Sequence, residues 1–100
     1  MSAARVTGIR DRLQAALQPT SVTVRDDSAL HAGHPGARDG AGHFAVEIES
    51  AAFAGLNRIR RHQLVYAALA DMMPAEIHAL SINAKAPGEP WLDGNLYSSE

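Results

Sequence analysis

Five of the 100 residues are histidine and none is cysteine. Metal chemistry carried by this chain must therefore run through imidazole nitrogen, which binds Zn, Fe, Cu and Ni when neutral. His31 and His34 form a His-x-x-His pair in a glycine-containing stretch. In a loop, two intervening residues let both rings converge on one ion, although loop histidines with no such task show the same spacing. His78 opens a late strand pattern on the parity of Leu80 and Ile82. Parity alone makes it a core histidine bonded to a backbone carbonyl. At a strand end it can instead protrude at the sheet rim and meet the loop that carries His31. His62, on the apolar side of a helical pattern, reads as half-buried and structural. His43 begins a strand on the solvent parity, where it either backs up the loop or does nothing.

Other chemistries find little support. Without cysteine there is no disulfide scaffold, no Cys-ligated zinc, no thiol nucleophile and no iron–sulfur cluster held by the chain's own thiolates. Ser28 follows two acids but lacks a nucleophile-elbow context. Glu47 and Glu49 share a strand face, yet nothing suggests a cleft between them. No Gly-rich phosphate cradle ending in Lys-Ser or Lys-Thr is present. Gly55-Leu56-Asn57-Arg58 lacks the second glycine of the Gly-x-x-Gly clamp used by RNA-binding KH domains. Arg58, Arg60 and Arg61, followed by His62, cluster at the front of a helix. They suit a phosphate, nucleic-acid or partner contact, although basic residues there oppose the helix macrodipole. A net charge of −2 and a pI near 6.2 give no global footprint for nucleic acid. The expectation is a protein that is not an enzyme.

The elements that must position these groups follow from periodicity. Val6, Ile9, Leu13, Ala16 and Leu17 carry the spacing of an amphipathic helix over residues 5–18, ended by Pro19. Ser21 to Arg25 alternates as a short strand. Residues 27–42 show no period and read as a long, functional or disordered loop. His43 to Glu49 alternates cleanly, with Phe44, Val46 and Ile48 inward, and should pair antiparallel with the first strand. Phe53 plugs the connector that follows. Asn57 caps a helix running to Met73, with Ile59, His62, Val65, Tyr66, Leu69, Met72 and Met73 as its apolar face. Glu76 to Asn83 is the last strand. The fold class is α+β, a small αββαβ sandwich with a three-stranded mixed sheet and helices on one face. Residues 1–87 form one domain and 88–100 a polar tail, with one turn of helix near Trp91.

Composition bounds the rest. Leu, Ile, Val and Phe total 21, and 19 of the hydrophobic residues are alanine, so the core is small. No apolar run approaches the roughly 18 residues of a membrane span, and the start, Met1-Ser2-Ala3-Ala4-Arg5, lacks a signal-peptide core. A soluble, cytoplasmic chain is expected.

Taken together, several runs resemble the BolA family: Asp26-Asp27-Ser28-Ala29-Leu30-His31-Ala32-Gly33-His34-Pro35-Gly36, His43-Phe44, Phe53-Ala54-Gly55, Arg61-His62-Gln63-Leu64-Val65-Tyr66 and Ile77-His78-Ala79-Leu80-Ser81-Ile82. Order and spacing agree over about residues 5–87. Asp27 stands where the family often has Glu. The resemblance implies a KH-like (class II) αββαβ fold without the Gly-x-x-Gly loop. It implies a heterodimer with a monothiol glutaredoxin of Cys-Gly-Phe-Ser type and a shared 2Fe-2S cluster. The glutaredoxin cysteine and glutathione hold one side; the BolA-like chain supplies a histidine from its last strand and a histidine or cysteine from its long loop. These map to His78 and to His31, with His34 competing for the second place. The family also implies an alternative, a DNA-binding regulator of stress response and cell morphology, for which Arg58, Arg60, Arg61 and the surrounding helix are the candidates. Alone, the chain is expected to be a monomer or weak homodimer.

Overall fold

Apolar residues at three- and four-residue steps define the first element. The computed structural model, which describes residues 2–27, 42–73, 75–91 and 97–98, forms helix α1 over Ser2–Leu17 and buries Ile9, Leu13 and Leu17 along one stripe. Gln18 ends the helix with φ 45 and donates its N–H to the Gln14 carbonyl (3.1 Å), a left-handed cap just before Pro19.

Strand β1 (Ser21–Asp26) pairs antiparallel with β2 (Gly42–Glu49), Val24 opposite Val46. The chain then crosses over through a 3-10 turn (Ala51–Phe53), helix α2 (Arg58–Ala68) and a second 3-10 turn (Ala70–Met72). It returns as β3 (Ile77–Lys85), parallel to β2. Phe44, Val46 and Ile48 of β2 lie opposite Leu80, Ile82 and Ala84 of β3. They share one core cluster with Ile9 and Leu13 of α1 and Val65 of α2. Each fully buried aliphatic side chain contributes about 1.5–3 kcal/mol, so this continuous apolar layer holds the helices to the sheet. Two other expectations are met here. Phe53 is fully buried, and the Asn57 side chain accepts from the Arg60 N–H (2.9 Å) as the cap of α2. Ser50, 1% exposed, donates its hydroxyl to the Leu17 carbonyl (2.6 Å) and accepts from the Ala52 N–H (3.1 Å). It thereby fastens the end of α1 to the crossover.

The structure corrects three details. Helix α2 stops at Ala68 rather than Met73. Leu69 leaves helical geometry and Met73 is extended (φ −109, ψ 139), the conformation favoured before a proline. Ile59 is 67% exposed rather than part of the apolar face. At about 100° per residue it lies roughly 120° from the line of Val65. The expected three-stranded sheet is present, and Tyr97–Ser98 extends it as β4, antiparallel to β3 at Ser81 and Ile82. A stretch read as tail thus returns to the sheet. Among the described residues, no helix is long and apolar enough to cross a membrane.

Candidate functional site

Because β2 and β3 are parallel, both begin at the same end of the sheet. The antiparallel β1 ends there too, Asp26 opposite Phe44. The Asp27 N–H bonds the His43 carbonyl (2.8 Å) and the Gly42 N–H bonds the Glu76 carbonyl (3.1 Å). Arg25 grips Asp27 with two hydrogen bonds (2.7 and 3.1 Å), which holds the exit of β1. Residues 28–41 are therefore tethered at both ends to this rim. His31 and His34 lie in that segment, outside the described residues.

His78 reaches the rim through an irregularity in the ladder. Gly42 pairs with Ile77 and His43 pairs with Ala79: one step on β2 matches two on β3, and His78 is the extra residue. A bulge of this kind breaks the two-residue alternation and re-aims a side chain. Ile77 and Leu80 are both in the core although they lie three residues apart, and His78 between them is exposed. Core parity for His78 is thereby replaced by the rim position. The His43 ring, half-buried at the start of β2, stands 5.2 Å from the His78 ring, centroid to centroid, tilted by 60°. The described part of the rim thus presents two imidazoles. Among the described residues, no group of three His, Cys, Asp or Glu side chains is placed to hold a metal ion. Imidazole is a donor that iron–sulfur clusters accept, as in Rieske centres. His43 was legible only as a solvent-parity residue; its partnership with His78 arises from the bulge and the parallel register.

The arginine cluster divides. Arg58 and Arg60 are exposed. Arg61 is turned inward: its guanidinium clamps Glu89 (2.6 and 2.9 Å) and donates to the carbonyls of Leu56 (2.8 Å) and Ala84 (3.3 Å). Glu89 also accepts from the Ala86 N–H (3.0 Å), and Gly88, at φ 91, makes the turn that allows this. The Arg61 guanidinium, helped by the Ala86 N–H, lowers the Glu89 carboxyl to about 2. Of the expected contact residues, Arg61 is thus committed to holding the segment after β3. His62 is half-buried, as expected; burial, and then the charge of Arg58, lower its pKa, which favours neutral imidazole. Nearby, Lys85 pairs with Glu49 (3.1 Å) and lies 5.0 Å from the centre of the Trp91 ring. Sequence reasoning attached no role to Glu89, Lys85 or Trp91; the ion-pair partners of the first two, Arg61 and Glu49, are distant in the chain.

Comparison with known proteins agrees with this architecture. A family model described as BolA-like protein matches residues 13–89. The chain is similar to chloroplastic protein BOLA1 of Arabidopsis thaliana, 41% identical over 88 residues that cover 85% of this chain and 55% of that protein. It is 43% identical over 86 residues to the chloroplastic/mitochondrial SufE-like protein 1 of the same plant, covering 81% of this chain and 23% of that one. The solved BolA domain of SufE1 from Arabidopsis thaliana superposes with a TM-score of 0.76 at 42% identity, covering 86% of this chain and 95% of that one. The chain thus spans about half of BOLA1, and about a quarter of the SufE-like protein.

Proposed function

Since this chain belongs to the BolA-like family, we propose that it is a non-enzymatic adaptor that shares a 2Fe-2S cluster with a monothiol glutaredoxin and glutathione. The observation that carries the reading is the bulge that sets His78 outward at the rim, beside His43 and at the end of the sheet where residues 28–41 are tethered. The cluster is cargo. A chain without thiols cannot hold it alone, so partner thiolates complete the ligand set. His78 offers one imidazole from a rigid strand. His31 or His34 offers the second, from the segment whose flanking residues Asp27 and Gly42 lie at the same rim. Imidazole in place of thiolate leaves the cluster with less negative charge and raises its potential.

The test is anaerobic reconstitution with a monothiol glutaredoxin, glutathione, iron and sulfide, followed by visible absorption and circular dichroism. Wild type should give a spectrum distinct from that of the glutaredoxin homodimer, and His78→Ala should abolish the difference. His31→Ala and His34→Ala compared side by side identify the loop ligand. A mixed spectrum unchanged by His78→Ala, or no mixed complex at all, would reject the assignment.

A further inference from the structure

A groove of about 230 Å³ opens between the first turn of α2, the last residues of β3 and the segment that follows. It is remote from the histidine rim. Asn83, on its lining, lies five residues along β3 from His78, about 16 Å at the rise of a strand. Its position on α2 follows from the helix itself. At about 100° per residue, Arg58, Arg61 and His62 all fall within roughly 60° of the inward-facing Val65, so the front of the helix carries polar groups over the end of the sheet.

The lining groups narrow what the groove can hold. Of the three cations on the wall, Arg61 is bonded to Glu89 and Lys85 to Glu49, and Arg58 stands at the exposed entrance. The Glu89 carboxylate is already bonded to the Arg61 guanidinium and the Ala86 N–H, so the wall offers nothing to a cationic ligand. Asn83 is 2% exposed, and its side-chain Nδ2 is buried without a hydrogen bond. An amide N–H₂ is a donor only, and native proteins rarely bury one unsatisfied. It calls for an acceptor oxygen. Ala84 and Pro90 add apolar wall. The volume of about 230 Å³ equals that of about eight water molecules at roughly 30 Å³ each, enough for a small organic acid.

We infer that this groove is a binding site for a small carboxylate, with one carboxylate oxygen accepting from Asn83 Nδ2 and the Arg58 guanidinium balancing its charge at the entrance. The carbon skeleton lies along Ala84 and Pro90. The site is independent of the histidine rim, and its success or failure leaves the cluster-sharing reading untouched.

The test is ¹H–¹⁵N nuclear magnetic resonance on the full chain, titrated with sodium succinate and, in parallel, with sodium chloride at equal ionic strength. Saturable shifts confined to the Asn83 side-chain amide and the backbone of His62 and Ala84 are expected. Arg58→Gln, at an exposed position that should not disturb folding, weakens the apparent affinity about tenfold, the scale of one hydrogen bond to a charged group. Asn83→Ala removes the saturable response. A parallel titration with inorganic phosphate separates carboxylate recognition from general anion attraction. Shifts that follow chloride, saturation that ignores Arg58→Gln, or saturation by phosphate and not by succinate would each overturn the proposal.

Discussion

Deleting His78 is expected to leave the fold standing while removing the proposed ligand. The deletion takes out the one residue of β3 that has no place in the ladder with β2. Ile77 keeps Gly42, Ala79 keeps His43, and Leu80, Ile82 and Ala84 keep their partners Phe44, Val46 and Ile48. Because His78 is exposed, no core surface is lost, and the change in unfolding free energy should stay under about 1 kcal/mol. With a urea m-value of about 1 kcal/mol/M for a small domain, the midpoint moves by less than about 1 M. Deleting Ser81, three positions later, is the control. Its loss turns every following residue of β3 to the opposite face. Ile82, fully buried, then leaves the core, at about 1.5–3 kcal/mol, and Lys85, buried and paired with Glu49, turns away from that partner, at about 3–5 kcal/mol more for a broken buried pair. That sum reaches or exceeds roughly 5 kcal/mol, the lower end of domain stability, so the control should not fold. The assay is urea unfolding followed by circular dichroism, then glutaredoxin reconstitution on whatever folds. If the His78 deletion unfolds like the control, the residue belongs to the ladder and the bulge argument fails. If it folds and still yields the wild-type mixed spectrum, the ring is no ligand.

Further predictions follow from single contacts. Ser50→Ala strips a partner from the buried Leu17 carbonyl and the part-buried Ala52 N–H; it should cost about 2 kcal/mol and lower the thermal midpoint by roughly 8–16 °C. Gln18→Gly relieves the left-handed backbone at φ 45 and should stabilise by about 0.5–1 kcal/mol in the same denaturation assay. The Glu89 carboxyl is held at about 2, against an ordinary 4.5. Its contribution to stability is therefore complete above pH 4.5 and is lost as pH falls from there toward 2. Carbon-detected titration should place its midpoint near 2, and Arg61→Gln should return it toward the ordinary carboxylate range.

Most of the scaffold was legible because burial enforces periodicity. The alternation of β2, the Asn57 cap and the Phe53 plug each rest on local rules that the fold does not override. The pairing of β1 with β2 across a long loop followed from their shared two-residue pattern. His78 was different. A bulge inserts a residue without a compositional mark, so counting in twos from Leu80 places the ring in the core, and only the pairing partners Gly42 and His43 reveal the extra step. Arg61 misled in another way: a run of arginines reads as a surface patch, while the carboxylate that draws one of them inward lies 28 residues away. Ile59 is apolar by type, but its angle on the helix decides its exposure. The short β4 carries too few residues to show any period.

The closed base of the long loop also bears on which changes the rim accepts. Asp27 and His43 are bonded across its ends, so β1 and β2 are held together at the point where the intervening segment leaves and returns. Closing a flexible loop costs only about 0.6 kcal/mol more for each doubling of its length. A change in the length of that segment is thus expected to cost little in chain entropy, whereas a one-residue change in β3 beyond the bulge shifts the register of the whole strand. His78, by contrast, stays fixed by the geometry that exposes it.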